Sequence, residues 1–279
     1  MRAREVERNV ARRDALAYGR AIMNMHPLFD LTGKCALVTG GSKGLGKAMA
    51  RGFAEAGADV FISSRHEDEL KAAAKEIGEG LKVKVEWMAA DMIDRAQVKA
   101  LADEAVKRLG KIDILINNAG SNQPQAIDEI TDEAWDRIVE LDLTSCMSLT
   151  RALVPGMKAR RWGRVIHISS VLGVGSKEKR NVYSACKAGL IGMAKASALD
   201  LGPFNITVNC LCPGPFMTDL PMSLLSDKEK EQFSNRTALN RWGMPRELAG
   251  PALMLASEAG SYITGEALLV DGGAFARAL

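Results

Sequence analysis

"KCALVTGGSKGLGKAMA", residues 34–50, passes from an apolar run through a glycine-rich turn into a segment long enough for a helix. Its first part, "KCALVTG" (34–40), lacks the polar alternation of a half-exposed strand and reads as a strand buried on both faces. The loop "TGGSKGLGKAMA" (39–50) therefore lies between a strand and the start of a helix over 44–56, where backbone N–H groups and the helix dipole hold phosphate. Gly40, Gly44 and Gly46 permit the tight turn and the close approach of a pyrophosphate. An ATP-binding P-loop competes for the same residues, since Gly41 to Lys47 fits G-x-x-x-x-G-K. The next residue, however, is Ala48, which lacks the magnesium-binding hydroxyl. The spacing also departs from the usual dinucleotide fingerprint, G-x-G-x-x-G.

The same alternation of strand and helix continues outward. Short runs rich in Val and Ile recur at "ADVFISS" (58–64), "VKVEWMAA" (83–90), "KIDILINN" (111–118), "GRVIHISS" (163–170), "NITVNCL" (205–211) and "EALLVDGG" (266–273), with helix-length segments such as 67–78 and 94–109 between them. This pattern predicts an α/β chain with a single Rossmann-type doubly wound domain, a seven-stranded parallel sheet with helices on both faces. No linker or low-complexity tract divides residues 26–279, so one catalytic domain is expected after a basic N-terminal extension, residues 1–25. Residues 212–245 carry four of the nine prolines and no strand signal, and are expected to form a lid over the ligand crevice.

Composition narrows the function classes. The chain is 47% hydrophobic and 25% charged, within the globular range, and no apolar run approaches the roughly 18 residues of a membrane span. A cytoplasmic protein with no membrane association is expected. The net charge of +3 comes from the first 25 residues, which hold six Arg against three acidic residues, leaving the remainder balanced and giving no electrostatic reason to expect nucleic acid. Five cysteines without framework spacing read as reduced, buried thiols. The three histidines, His26, His66 and His167, are scattered, and no metal site is expected.

"YSACK" (183–187) places Tyr183 and Lys187 on one helix face. Such a pair alone commonly meets solvent, but here it comes with further ordered motifs: T-G-x-x-x-G-x-G at 39–46, "DM" at 91–92, "NNAG" at 117–120, Ser170 thirteen residues before Tyr183, "PG" at 213–214 and Thr218. In order and context these resemble the short-chain dehydrogenase/reductase family over roughly residues 31–275. The resemblance implies an NAD(P)-dependent enzyme acting on a CH–OH group, with Ser170, Tyr183 and Lys187 catalytic. A free phenol, with a pKa of about 10, exchanges protons poorly near neutrality, and a nearby ammonium stabilises the phenolate. Lys187 is expected to supply that charge and to hold the nicotinamide ribose, and Ser170 to hydrogen-bond the substrate oxygen. Ser169 is expected to be structural. Where the family usually has Asn, this chain has Asp142, in "ELDLTS" (140–145). It is kept as a site residue whose extra negative charge alters the coupled titration of Tyr183 and Lys187.

The implied cofactor contacts are Gly40, Ser42, Lys43, Gly44, Leu45 and Gly46 in the loop, Ser64 and Arg65 after the second strand, Asp91 and Met92 after the third, and Asn118, Ala119 and Gly120 after the fourth. Tyr183, Lys187, Pro213, Gly214 and Thr218 complete the set. An acidic residue at the end of the second strand would select NAD. "ISSR" (62–65) offers Arg65 instead, and with Lys43 nearby NADP is favoured over NAD. Three functions follow: an NADP-dependent carbonyl reductase or alcohol dehydrogenase acting on a small molecule, a 3-oxoacyl-carrier-protein reductase suggested by "YITGEALLVDGG" (262–273), or a nucleotide-sensing protein with little turnover. "RTALNRWGMPREL" (236–248) also resembles the gluconate 5-dehydrogenases. Ser121, Lys177, Lys179 and Arg180 on the expected pocket rims suit a polar, anionic sugar acid. The helices over 135–160 and 182–201 have apolar positions to spare, and the resemblance implies that they pair across two-fold axes, so a homotetramer is expected, with a dimer as the alternative.

Overall fold

The computed structural model describes residues 26–218 and 225–276, so the basic extension and residues 219–224 of the expected lid lie outside the described residues. In chain order the strands are β1 (Cys35–Thr39), β2 (Asp59–Ser64), β3 (Val85–Ala89), β4 (Ile114–Asn117), β5 (Gly163–Ile168), β6 (Ile206–Pro213) and β7 (Ala267–Val270). The helices between and around them are α1 (Gly44–Glu55), α2 (Glu67–Gly78), α3 (Arg95–Leu109), α4 (Asp132–Val139), α5 (Ser145–Arg160), α6 (Asn181–Leu201), α7 (Asp227–Arg236) and α8 (Pro245–Ala256). All seven strands pair in parallel in the order β3-β2-β1-β4-β5-β6-β7. The winding reverses between β1 and β4, and in such sheets that reversal opens a crevice at the carboxyl ends of the strands.

The alternation of side chains along β1 builds two cores. Ala36 and Val38 join Met49 and Phe53 of α1, Leu70 of α2 and Leu248 of α8 on one face. Cys35 and Leu37 join Leu101 of α3, Leu149 of α5 and Leu190 of α6 on the other. Each such side chain contributes roughly 1.5–3 kcal/mol when fully buried, which is why β1 can dispense with polar residues. Burial on both faces does not extend to the sheet's margins. Every residue of β3 is only partly buried, Glu86 among them, and β7 has one exposed position, because each edge strand has a neighbour on one side only.

A second departure from the sequence reading lies at 132–160. Rather than one helix, α4 and α5 are joined by a π turn, Glu140–Thr144. Its carbonyls are partly taken by side chains: Ser145 Oγ donates to Leu141 O at 2.6 Å, and Cys146 Sγ faces Asp142 O at 3.6 Å. In α6 the buried stripe runs Val182, Cys186, Leu190, Ala194 and Ala198, with Lys187 buried beside it.

Between β6 and α8, Pro213 belongs to the strand rather than to the following loop. Thereafter Phe216 bridges Gly243, and α7 closes with Phe233 against Trp242, ring centres 5.3 Å apart. All five cysteines are free and buried; burial pushes Cys35, Cys146 and Cys186 up to about 11, which keeps them as protonated, unreactive thiols.

Candidate active site

The glycine loop takes its shape from contacts that leave no room for side chains. Gly40 and Gly44 have φ of +63° and +52°, and a Cβ on Gly46 would stand 2.2 Å from the Gly40 carbonyl oxygen and 2.5 Å from Asn118 Nδ2. That amide is itself fixed, donating to Thr39 O at 2.8 Å and Gly40 O at 3.2 Å. Thr39 Oγ1 accepts from the backbone N–H groups of both Asn118 and Ala119 at 3.0 Å. The ends of β1 and β4 are thereby locked together across the winding reversal, with the Asn118 side-chain nitrogen and backbone N–H both engaged. Leu45 packs on the core, and Met92 is 4% exposed in the opposite core, so their contributions to a site are through the main chain. Thr218 comes over the loop, its Cγ2 3.2 Å from where a Gly44 Cβ would lie, and Gly214 N–H donates to Val270 O at 3.0 Å.

The polar side chains near the adenosine end do not all stand free. Lys43 is paired with Glu69 of α2 at 2.7 Å, and Ser42 Oγ donates to the same carboxylate at 3.4 Å; Lys43 above all holds Glu69 below the usual carboxylate range. The positive charge that Lys43 brings to the loop is thus partly offset by Glu69. Arg65 is exposed and makes no ion pair among the described residues, and the buried Ser64 Oγ beside it has no hydrogen-bond partner. Asp91 accepts from Ile93 N–H at 3.1 Å, with its own N–H held by Gln97.

The structure brings Ser170, Tyr183, Lys187 and Asp142 to the crevice. Ser170 follows β5 and begins a short 3-10 turn, Val171–Gly173, which packs so closely on α6 that a Gly173 Cβ would stand 2.8 Å from the Lys187 carbonyl carbon. Ser170 Oγ accepts from Leu172 N–H at 3.1 Å, which leaves its own hydrogen for another acceptor. Ser169 Oγ instead donates to Lys187 O at 2.8 Å, the structural role expected of it. One turn along α6 from Tyr183, Lys187 Nζ lies 5.3 Å from the Tyr183 ring centre, donates to Ile168 O at 3.0 Å and sits 3.1 Å from Asp142 Oδ2. That contact is an ion pair, and the other oxygen, Oδ1, accepts from Ser121 N–H at 2.8 Å.

Asp142 is fully buried and the Lys187 side chain is 5% exposed. Burial alone would lower the pKa of Lys187; Asp142, followed by Tyr183, outweighs it and raises the ammonium above its ordinary range. Gly120 passes so near the pair that a Cβ there would stand 3.0 Å from Asp142 Oδ2 and 3.2 Å from Lys187 Nζ.

Residues 40–274 match the family model described as enoyl-(acyl carrier protein) reductase. The nodulation protein G of Rhizobium sp. (strain N33) is 39% identical over 246 residues, 88% of this chain and 98% of that one. The 3-oxoacyl-[acyl-carrier-protein] reductase of Thermotoga maritima is 37% identical over 244 residues, 87% and 98% respectively. Among solved structures, a provisionally named gluconate dehydrogenase from Agrobacterium tumefaciens superposes with a TM-score of 0.86 at 30% identity, covering 90% of this chain and all of that one. The chain is a short-chain dehydrogenase/reductase.

As a short-chain dehydrogenase/reductase it is an NAD(P)-dependent oxidoreductase acting on small molecules. The crevice residues fit the dinucleotide: the glycine cradle admits no Cβ, Ser64 Oγ is a buried hydroxyl lacking a partner, and Arg65 stands exposed beside it. Among the described residues no helix is long and apolar enough to cross a membrane, and no cluster of His, Cys, Asp or Glu could hold a metal ion. Sequence reasoning missed Thr39, whose hydroxyl organises the β4 turn, and the Ser121 N–H that anchors Asp142. Thr39 had a signal, being the polar end of an otherwise apolar strand run that opens the glycine loop; the backbone of Ser121 had none.

Proposed function

We propose that this enzyme is an NADP(H)-dependent reductase of a small carbonyl compound, or dehydrogenase of the corresponding secondary alcohol, with Ser170, Tyr183, Lys187 and Asp142 at the reacting end. The observation that carries the reading is the buried Lys187 ammonium, held charged by Asp142 and lying one helical turn from Tyr183. NADPH, when bound, supplies the hydride. Tyr183 gives its phenolic proton to the substrate oxygen, and the Lys187 charge stabilises the phenolate left behind. Ser170 donates its remaining hydroxyl hydrogen to that same oxygen, which stabilises charge as it develops. Asp142 holds Lys187 in place and, through Ser121, fixes the loop after β4.

Arg65 supports NADPH over NADH, since its guanidinium matches a 2′-phosphate and no acidic residue stands at the end of β2. A 3-oxoacyl-carrier-protein reductase is the second reading, favoured by the relative from Thermotoga maritima. The N-terminal extension, the lid over 212–245 and a cytoplasmic homotetramer belong to the same proposal. Trp135 on α4 and Leu199 on α6 are 40% and 81% exposed, apolar surface that a second copy would cover.

The test is NADPH oxidation across a panel of ketones with wild type and Tyr183→Phe. The variant retains the ring and is expected to bind NADPH while losing nearly all turnover. A variant that keeps most of its activity overturns the assignment. Light scattering is expected to give a tetramer, and a monomer refutes that part.

A further inference from the structure

Arg180 stands one turn before Tyr183, at the start of α6, in a setting unlike that of the other rim cations. Its backbone is clamped. Residue 125, in the loop after β4, pairs with residue 180 as an isolated parallel bridge, Gln125 N–H donates to Lys179 O at 3.1 Å, and Asn181 Nδ2 donates to Gln125 O at 3.2 Å. Lys179 takes a left-handed φ of +62° to make this junction. The Arg180 guanidinium is partly buried and forms no ion pair among the described residues. Burial lowers its pKa and Tyr183, three residues on along the chain, opposes that shift.

The neighbouring Lys177 is engaged elsewhere. Lys177 Nζ lies 5.2 Å from the Phe233 ring centre of α7, and its pKa is lowered by burial and then by the charges of Arg180 and Arg236, against weaker opposition from Glu178 and Glu229. A partly buried guanidinium that makes no ion pair among the described residues, fixed at its backbone beside the reacting Tyr183, is a site for an anion.

We propose that Arg180 binds the carboxylate of the substrate, and that this enzyme acts on a keto or hydroxy acid whose carboxylate lies a few atoms from the reacting carbon. This deepens the reductase reading and rests on it. The short reach follows from position: residues three apart on a helix have Cβ atoms about 5–6 Å apart, so a charge held by Arg180 belongs to the same small molecule whose oxygen meets Tyr183. The phosphate of an acyl-pantetheine thioester sits at the far end of a long arm and does not meet that requirement.

The experiment compares acetoacetate, methyl acetoacetate and acetoacetyl coenzyme A with NADPH, for wild type, Arg180→Gln and Arg180→Lys. Loss of one charge-assisted contact is expected to lower the acid-to-ester ratio of kcat/KM by about 10- to 100-fold in R180Q, mainly through KM, with partial recovery in R180K. An unchanged ratio, or a loss carried equally by acid and ester, overturns the proposal and makes Arg180 a structural residue. A loss confined to the thioester also overturns it, by moving the anion to the phosphate. Should wild type reduce none of the three, the reductase reading is what fails. Calorimetric binding of acetoacetate to wild type and R180Q, each saturated with NADPH, then decides the carboxylate site: weaker binding to R180Q supports it, and equal binding refutes it.

Discussion

Replacing Asp142 by Ala removes the carboxylate 3.1 Å from Lys187 Nζ and leaves an ammonium whose side chain is 5% exposed. At an effective dielectric of about 20, two unit charges at that distance attract by about 5 kcal/mol. The desolvation of both charges takes back much of this, so the pair as a whole adds little net stability. Removing one partner is different, because the survivor stays buried without compensation, at a cost of about 3–5 kcal/mol. Ser121 N–H also loses its acceptor. For a protein of this size the lower figure corresponds to a fall in Tm of about 6–12 °C.

Asp142→Asn keeps an acceptor for Ser121 and is expected to lose less. The double variant Asp142→Ala, Lys187→Met, which removes both charges, is expected to recover much of the stability lost by D142A alone. The assay is thermal and urea unfolding at pH 7. Lys187 is raised above its unfolded value, so its contribution is fully present below about 10.4 and is lost only as pH rises through the folded value; pH 7 lies on the intact side. If D142A unfolds within about 0.5 kcal/mol of wild type, or the double variant is no more stable than D142A, the argument for a coupled buried pair fails.

Two further predictions concern the cofactor and pH. Arg65→Ala is expected to weaken NADPH by about tenfold or more and NADH much less, since a charge-assisted contact contributes about 1.5–3 kcal/mol and only NADPH has the 2′-phosphate; equal weakening in fluorescence titrations removes the basis for the cofactor preference. His167 is buried, and burial, aided by the Lys187 charge, lowers it from 6.5 to about 4. The unfolded chain therefore binds the extra proton between those values, and stability is lost as pH falls from about 6.5 towards 4, by roughly 3 kcal/mol in total. His167→Gln is expected to flatten that slope in unfolding measurements, and an unchanged slope refutes the attribution.

The seven strands were legible because the central ones are short, mostly apolar runs without strict alternation, as a parallel sheet covered on both faces demands. The partial exposure of β3 and β7 was not, since being last in a sheet is a property of neighbours rather than of the run itself. Ser170, Tyr183 and Lys187 were singled out by the resemblance that the ordered motifs carry together, since the spacing of Tyr183 and Lys187 alone fits an ordinary solvent face. The Lys43–Glu69 pair could not be foreseen, because its partner comes 26 residues later on another helix. Asp142 stood out as an unusual residue at its position, yet nothing local to "ELDLTS" announces the π turn that carries it or the ion pair it makes. Both depend on where α6 lies.

That turn also has a bearing on length. Along 132–160 one buried line runs through Ala134, Ile138, Asp142, Cys146, Leu149, Leu153 and Met157, with Ser145 and Thr150 buried beside it. A plain α-helix turns 3.6 residues per revolution, so its buried line would reach the far end about one residue earlier than Met157. The wider π turn absorbs the surplus, letting α4 and α5 present matched apolar sides while a carboxylate occupies the same line between them. Helical phase places Asp142 against Lys187, and the number of residues in 140–144, more than their identity, sets where that charge stands.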